Sequence, residues 1–165
     1  MELEARIRAA LDGSGAAYEI IACDPDLADT AVFCAHYGYD LKNSANAILV
    51  RSKTGDEKFA LCVVLADSRL DVNKVVRKKL GVRKASFADA EETKSMTGME
   101  IGGVTPVATP AELPIWIDAR VMAVDKVILG GGTRGQKIIV DPAYFRSLPQ
   151  AEVVDDLAKP VAPSD

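Results

Sequence analysis

Two apolar, β-branched segments separated by a short polar turn limit the fold of this 165-residue chain more than any other feature. The first runs from Asn46 to Ser52 and the second from Lys58 to Ala66, with Thr54-Gly55-Asp56-Glu57 between them. This pattern predicts a β-hairpin with a loop longer than two residues. Because the two strands of a hairpin are antiparallel, the chain does not fit a doubly wound, wholly parallel sheet.

Helical patterns interrupt the strand patterns along the chain. We predict helices over residues 2–11, 24–37, 71–80, 86 or 89 to 96, and 141–148. Further strands are predicted over 18–23, 115–118 and 137–141, and a strand or a strand–turn–strand over 121–129. This mixture predicts an α/β fold of the α+β type, in which a central, mixed, largely antiparallel twisted sheet is flanked by helices. The length fits a single compact domain over residues 1–158, followed by a frayed tail over 159–165 that holds two prolines.

Composition and charge exclude several classes of protein. A net charge of −4 does not create the positive field of a protein that binds nucleic acid over its whole surface. Cys23, Cys34 and Cys62 are odd in number and form no C-x-x-C pair, which argues against a disulfide framework or a zinc ribbon. The longest apolar run, residues 60–66, is too short for a membrane span, and the charged N-terminus is unlike a signal peptide. We therefore expect a soluble cytoplasmic protein that needs no metal or cofactor.

Asn46 is a polar residue on an otherwise apolar strand face. Strand alternation places Asn46, Ile48 and Val50 on the same side of the first hairpin strand. The Asn46 side chain could bond a neighbouring turn at the strand end, or it could make a polar contact at the mouth of an apolar pocket. In the second case we expect Asn46, together with Ile48 and Val50 on the same face, to contact the substrate.

The segment from Thr97 to Pro106, here called the first glycine loop, could bring backbone groups close to a ligand. Its glycines allow close approach or positive φ, and the stiff proline fixes its exit, so it can present bare N–H and C=O groups. Gly102 is a candidate ligand contact of this loop through its backbone groups. The expected substrate contacts are the following four residues, Gly103, Val104, Thr105 and Pro106.

The second glycine loop, residues 130–135, could bind an anion through consecutive N–H groups. Its candidate substrate contacts are Gly131, Gly132 and Thr133. The loop lacks the spacing of a P-loop, and no long helix pattern follows it as a dinucleotide site would require. Either glycine loop could also be an ordinary surface turn.

Charged side chains supply the remaining candidates. Lys74, Arg77 and Lys78 share a helix face opposite the valines, where they could be solvated or could contact nucleic-acid phosphates. Asp118 ends the predicted strand at 115–118, where its carboxylate could cap the next turn or pair with a substrate ammonium group.

Taken in order, these elements resemble the YbaK/prolyl-tRNA synthetase-associated domain family. The resemblance rests on Asn46-Ala47-Ile48-Leu49-Val50, on Thr97-Gly98-Met99 with Ile101-Gly102-Gly103-Val104-Thr105-Pro106, on Ile117-Asp118, and on Gly130-Gly131-Gly132-Thr133-Arg134. It covers about residues 2–148. The segment that ends at Pro106 is its most specific part.

The resemblance implies a single α/β domain that hydrolyses, in trans, the ester joining a wrong amino acid to the 3′ end of tRNA. In such family members the loop that corresponds to Gly102–Pro106 lines the amino-acid pocket with backbone groups. Water, assisted by the substrate's own hydroxyl, makes the attack. The implied partner is the aminoacylated 3′ end of tRNA, and we expect contacts to it from Lys42, Lys74, Arg77 and Lys78. An aminoacyl-tRNA synthetase is a further candidate partner, and the chain could be a monomer or a homodimer.

Asn46 departs from the family pattern. The family carries a lysine at this point of the first hairpin strand, whereas asparagine can donate a hydrogen bond but has no charge. Lys42, four residues earlier, and Lys58, on the partner strand, are candidates to replace that lysine. Three functions are consistent with the sequence: an editing deacylase with an altered site, an inactive module that binds aminoacyl groups or tRNA, and a hydrolase of a small ester unrelated to tRNA. In the first, the catalytic candidates are Asn46 as a neutral donor, Gly102 in the backbone platform, and Asp118 beside the site or on the substrate ammonium group.

Overall fold

The structure of the protein, a computed structural model, describes residues 2–161. Its α-helices are α1 (Leu3–Ser14), α2 (Thr30–Tyr37), α3 (Arg77–Leu80) and α4 (Ala90–Thr97). Its strands are β1 (Tyr18–Ala22), β2 (Ala45–Ser52), β3 (Phe59–Leu65), β4 (Ser68–Leu70), β5 (Ala85–Phe87), β6 (Ile115–Asp118), β7 (Val127–Gly130), β8 (Gln136–Val140), β9 (Ala151–Val154) and β10 (Ala158–Pro160). No helix in this range is long and apolar enough to cross a membrane.

The strands form three sheets, with the orders β5-β2-β3-β6-β9, β1-β8-β7 and β10-β4. In the five-stranded sheet β2 pairs antiparallel with β3 and β5, whereas β6 pairs parallel with β3 and β9. The pairs in the two smaller sheets are all antiparallel. A parallel bridge between Ser44 and Ile128 joins the five-stranded sheet to the three-stranded one. The predicted α+β fold with a central mixed sheet flanked by helices is confirmed.

The predicted hairpin consists of β2 and β3. Its register pairs Asn46 with Val64 and Leu49 with Leu61. The alternation along β2 also follows the prediction, because Leu49 enters one core cluster and Val50 enters another. The hairpin therefore carries apolar side chains on both faces, as expected for strands buried between two layers.

The core lies on both faces of the five-stranded sheet. One face packs against Ile7 and Leu11 of α1, against β7 and β8, and against the chain between residues 99 and 113. The other face is covered by Val72, Val76 and Leu80, which belong to a helical segment over residues 72–80. A third, smaller cluster attaches α2 to the three-stranded sheet.

Four predicted elements differ in their local geometry, one of them the helix predicted over 141–148, which is a 3-10 helix over Pro142–Ser147. The helix predicted over 24–37 is interrupted because Asp29 adopts an extended conformation (ψ 135°), so that only a 3-10 turn precedes α2. The helix predicted over 71–80 begins as a π-helical turn and becomes α-helical at Arg77. The segment predicted over 121–129 begins with the end of a 3-10 helix (Ala119–Ala123), and β7 begins only at Val127.

The C-terminal residues that the structure describes are paired, which corrects the prediction of a frayed tail. Lys159 and Pro160 lie in β10 and pair with Arg69 and Ser68 of β4. A tail with no periodicity of its own can still form a short edge strand when an open strand lies beside it. Residues 162–165 of the predicted tail lie outside the described residues.

Candidate functional site

A cavity of about 440 Å³ lies beside the edge of β2. Because β5 pairs only with Val50–Ser52, the edge of β2 from Ala45 to Leu49 has no β5 neighbour, and each residue of that stretch lines the cavity. The other walls come from the start of α2, from the region of α4 and from both glycine loops. These walls consist of Ala28, Asp29, Thr30, Ala31, Ala88, Thr93, Ile101, Gly102, Val104, Gly130 and Lys137.

Asn46 lines the cavity with its amide held in one orientation. The Thr30 hydroxyl, at the start of α2, donates a hydrogen bond of 2.5 Å to Asn46 Oδ1. Since the oxygen accepts this bond, the NH₂ group of the Asn46 amide is the part free to donate to a ligand. The geometry therefore supports Asn46 as a neutral hydrogen-bond donor in the cavity.

The two glycine loops pack against each other so closely that side chains would not fit between them. A Cβ on Gly103 would lie 2.7 Å from the carbonyl carbon of Thr133, and a Cβ on Gly130 would overlap the carbonyl oxygen of Val104. The Gly132 N–H donates to the Gly103 carbonyl over 2.6 Å. This interlock holds Val104 and Gly130 together in the cavity wall.

Arg134 links three segments around the same cavity. Its guanidinium group donates to the carbonyls of Pro25 and Ile101 over 3.0 and 3.2 Å and contacts the Asp29 carboxylate at 3.3 Å. Gly102 has a φ of +95°, and a Cβ there would overlap this guanidinium group. Arg134 thereby fixes the first glycine loop relative to the start of α2.

Lys137 reaches the cavity wall from β8 although it is only 4% exposed. Its Nζ donates to the Ala28 carbonyl over 2.5 Å and lies 5.2 Å from the centroid of the Phe33 ring. Burial of the amine lowers the pKa of Lys137 below the ordinary value for lysine. Among the described residues that line the cavity, Lys137 is the one with a cationic side chain.

The cavity brings together part of the predicted site. Asn46, Ile48, Gly102 and Val104 line it. The other predicted substrate contacts lie outside the lining: Val50, Gly103, Thr105, Pro106, Gly131, Gly132 and Thr133. Val50 is paired with Phe87 of β5, which closes the edge of β2 at that point. Gly103 packs against Thr133 of the second glycine loop, whereas Gly131 lies against Gln136 and Gly132 against Ile7 of α1.

Asp118, the third catalytic candidate, does not line this cavity. Its side chain is fully buried at the end of β6, and one carboxylate oxygen lies 3.4 Å from the Arg120 guanidinium group. The other oxygen has no hydrogen-bond partner among residues 2–161. Burial raises the pKa of Asp118, and the nearby Arg120 charge opposes that shift. The partner of this carboxylate is thus a protein side chain.

The basic residues predicted to contact tRNA also lie outside the cavity lining. Lys74 and Lys78 are exposed on the helical segment 72–80, and Lys42 is exposed in the turn before β2. Arg77 is less available, because its guanidinium group bonds two backbone carbonyls near its own helix. Contacts from these residues to tRNA stay a prediction.

The cavity walls formed by residues 28–31 and by Ala88, Thr93 and Lys137 were not predicted from the sequence. The alanines give no signal, because small apolar residues occur throughout protein cores. Lys137 has a recognisable signal in the sequence. Strand alternation places it on the same face as Ile139, which packs against the cluster under α2. A lysine on a buried strand face is unusual enough to be a candidate.

The fold and the cavity define a class of small α+β domain, in which a mixed sheet and two interlocked glycine loops surround a preformed cavity with polar donors. The family model of the aminoacyl-tRNA editing domain matches residues 24–148, a range that includes the whole cavity lining. The chain belongs to this family of aminoacyl-tRNA editing domains.

Two solved structures share this fold. One is a protein assigned as a trans-editing enzyme for prolyl-tRNA synthetase, with 23% sequence identity, a TM-score of 0.77, and coverage of 94% of this chain and 96% of that chain. The other is the hypothetical protein APE2540, with 22% identity, a TM-score of 0.81, and coverage of 93% and 99%. At such identities the similarity establishes the fold.

Proposed function

We propose that this chain is an editing deacylase that acts in trans and hydrolyses the ester between a wrong amino acid and the 3′ end of tRNA. Membership of the editing-domain family supports this function, as does the trans-editing assignment of a protein with the same fold. The observation that carries the proposal is the Asn46 amide, which Thr30 orients in a cavity shared with Gly102 and Val104.

An ester substrate suits this cavity because it offers hydrogen-bond donors between apolar walls. During hydrolysis, water bonds to the carbonyl carbon, negative charge develops on the carbonyl oxygen, and the bond to the ribose oxygen then breaks. Donors that contact the charged oxygen lower the barrier. In our proposal the Asn46 amide orients the ester, and the small alanine side chains leave room for the aminoacyl group.

The identity of residue 46 favours a second candidate function. A neutral amide binds a developing oxyanion less strongly than a charged donor does. A chain with asparagine in this position could bind aminoacyl-tRNA without hydrolysing it. The two functions make different predictions for a variant that carries lysine there.

The test is a panel of mischarged tRNAs incubated with the wild type, Asn46→Ala and Asn46→Lys. We expect the wild type to hydrolyse at least one species, and Asn46→Ala to lower kcat/KM about tenfold, the value of one hydrogen bond. Asn43→Ala removes an exposed asparagine from the turn before β2 and should leave kcat/KM unchanged.

The outcomes separate the candidate functions. Hydrolysis by Asn46→Lys alone, with tRNA binding by the wild type, would identify a binding module. Turnover of free aminoacyl esters without turnover of any mischarged tRNA would identify a hydrolase of small esters and would reject the editing proposal.

A further inference from the structure

We infer that Lys137 is the cation that stabilises the negative charge formed on the ester carbonyl oxygen, so that the charge of this site comes from β8 rather than from β2. The inference rests on the proposed deacylase function. Its structural basis is a buried ammonium group that reaches the cavity wall and has no anionic partner in the described part of the chain.

Lys137 lines the cavity, and its ammonium group is bonded within the protein rather than solvated by bulk water. Its Nζ donates to the carbonyl of Ala28, a residue that lines the cavity as Lys137 does. The ring of Phe33 lies beside the amine at 5.2 Å. With a side chain only 4% exposed, Lys137 cannot be a solvated surface lysine.

No carboxylate among residues 2–161 forms an ion pair with Lys137. Asp29, the acidic residue of the cavity lining, pairs instead with Arg134. An ammonium group has three N–H donors, and residues 2–161 supply one carbonyl acceptor for them. Buried charges are normally paired, so an anionic group in the cavity would complete the surroundings of Lys137.

The reaction creates such a group for a short time. The oxygen of a water molecule bonds to the ester carbonyl carbon, and the π electrons of the carbonyl move to its oxygen, which Lys137 then contacts as an ammonium group. When the carbonyl forms again, the bond to the ribose oxygen breaks and that oxygen takes a proton from the attacking water. The products are the free amino acid and the tRNA hydroxyl, and Lys137 keeps its proton throughout.

Four charged or titratable groups surround the Lys137 amine: Cys23, Cys34, Asp29 and Arg134. Burial has the largest effect on the amine and lowers its pKa, so the ammonium form is lost at a lower pH than in an exposed lysine. The part of the rate that depends on this charge should therefore fall as the pH rises through the lowered pKa. Lys137→Met should lack that decrease, because methionine does not titrate.

Two analogues of the aminoacylated 3′-terminal adenosine test the role of the charge without turnover. One carries an anionic phosphonate in place of the ester, and the other a neutral amide. We expect the wild type to bind the phosphonate at least a hundredfold more tightly than the amide, as enzymes bind mimics of the transition state. Lys137→Met should abolish this preference, and Lys126→Met, which removes an exposed lysine outside the lining, should retain it.

Turnover of mischarged tRNA is the second measurement. Lys137→Met should lower kcat about a hundredfold with a small change in KM, as the loss of one oxyanion donor does in other enzymes. Asn46→Lys in the Lys137→Met background should recover part of that loss, because residue 46 lines the same cavity. The methionine side chain is similar in length to that of lysine. Thermal denaturation of Lys137→Met checks that the fold is intact.

The results distinguish this inference from the deacylase proposal. If the wild type turns over mischarged tRNA but Lys137→Met keeps both kcat and the preference for the phosphonate, Lys137 is a structural residue and the inference fails alone. If the wild type turns over no tRNA yet prefers the phosphonate through Lys137, the deacylase proposal fails and the anion-binding role of Lys137 stands. Equal binding of both analogues by the wild type would overturn the inference.

Discussion

At the scale of single residues, the shape of the cavity wall depends mainly on glycines, which have no side chain. Gly103 and Gly130 lie where the two glycine loops touch, and a Cβ at either position would collide with backbone atoms of the other loop. Backbone atoms cannot move aside as the end of a flexible side chain can, so these glycines are required by packing. Gly103 does not have a positive φ, which leaves the collision as the reason for glycine there.

Gly103→Ala should therefore destabilise the protein by about 3 kcal/mol, a typical cost of overpacking a closely packed contact. The matched control is Gly13→Ala. Gly13 lies in α1 with nothing within 4 Å of the added Cβ, so alanine there should stabilise the helix by about 0.5 kcal/mol. Urea denaturation measures both changes, and equal effects of the two variants would contradict the interlock.

Strand alternation made Asn46 predictable from sequence, because one polar residue on an apolar face stands out. The same rule places Lys137 beside Ile139, yet it does not show which face of a strand becomes buried. That depends on α2, whose start carries both the Ala28 carbonyl that binds Lys137 and the hydroxyl that holds Asn46. Contacts between residues so far apart in sequence have no local signal.

At the scale of elements, the cavity exists because β5 is short. It pairs with the last three residues of β2 and leaves the rest of that edge open. Open strand edges tend to pair with other chains unless something covers them. Here α2 and the glycine loops surround the open edge without pairing along it, which leaves backbone and side chains of Ala45–Leu49 in contact with the cavity.

The helical segment 72–80 lies apart from the cavity, and its expected role is to bind tRNA phosphates. It covers the sheet face that carries Val50, whereas the cavity includes Leu49 and Val104 of the first core cluster. If Lys74 and Lys78 contact tRNA phosphates, the variant Lys74→Glu/Lys78→Glu should weaken tRNA binding. The slope of log Kd against log salt should fall by about 2, and kcat should not change.

The matched control for these charge reversals is Lys126→Glu/Arg146→Glu, which alters two exposed basic residues outside the segment. Binding titrations at several salt concentrations should show no change of slope for this control. An unchanged slope for the variant in the segment itself would show that this helix face is only solvated.

At the scale of the whole molecule, the fold class followed from the hairpin and from the alternation of helices and strands. The short strands β4, β5, β9 and β10 were not predicted, because three or four residues carry too little pattern to separate a strand from a loop. The cavity could not be predicted as a volume. It lies between β2, β8, α2 and the first glycine loop, whose relative positions follow from packing of the whole chain.

Since the cavity depends on the packing of both larger sheets, a ligand bound in it should stabilise the entire domain. A non-hydrolysable aminoacyl-adenosine with an amide link, present at one hundred times its Kd, should raise the free energy of unfolding by about 2.7 kcal/mol. Urea denaturation with and without the analogue measures this, and adenosine alone at the same concentration serves as the control. If a saturating concentration of the analogue did not raise the free energy of unfolding, the analogue would bind outside the cavity, or the cavity would belong to a part of the domain that unfolds separately.

The interlock of the two glycine loops also restricts how this sequence can change during evolution. A mutation that enlarges Gly103 is tolerated only if the backbone near Thr133 moves as well, and the reverse holds for Gly130 and Val104. Homologous sequences should therefore vary in these two stretches together, although about thirty residues separate them. Lys137 lies outside the interlock, so the position that supplies the charge can differ between relatives while the loops stay the same.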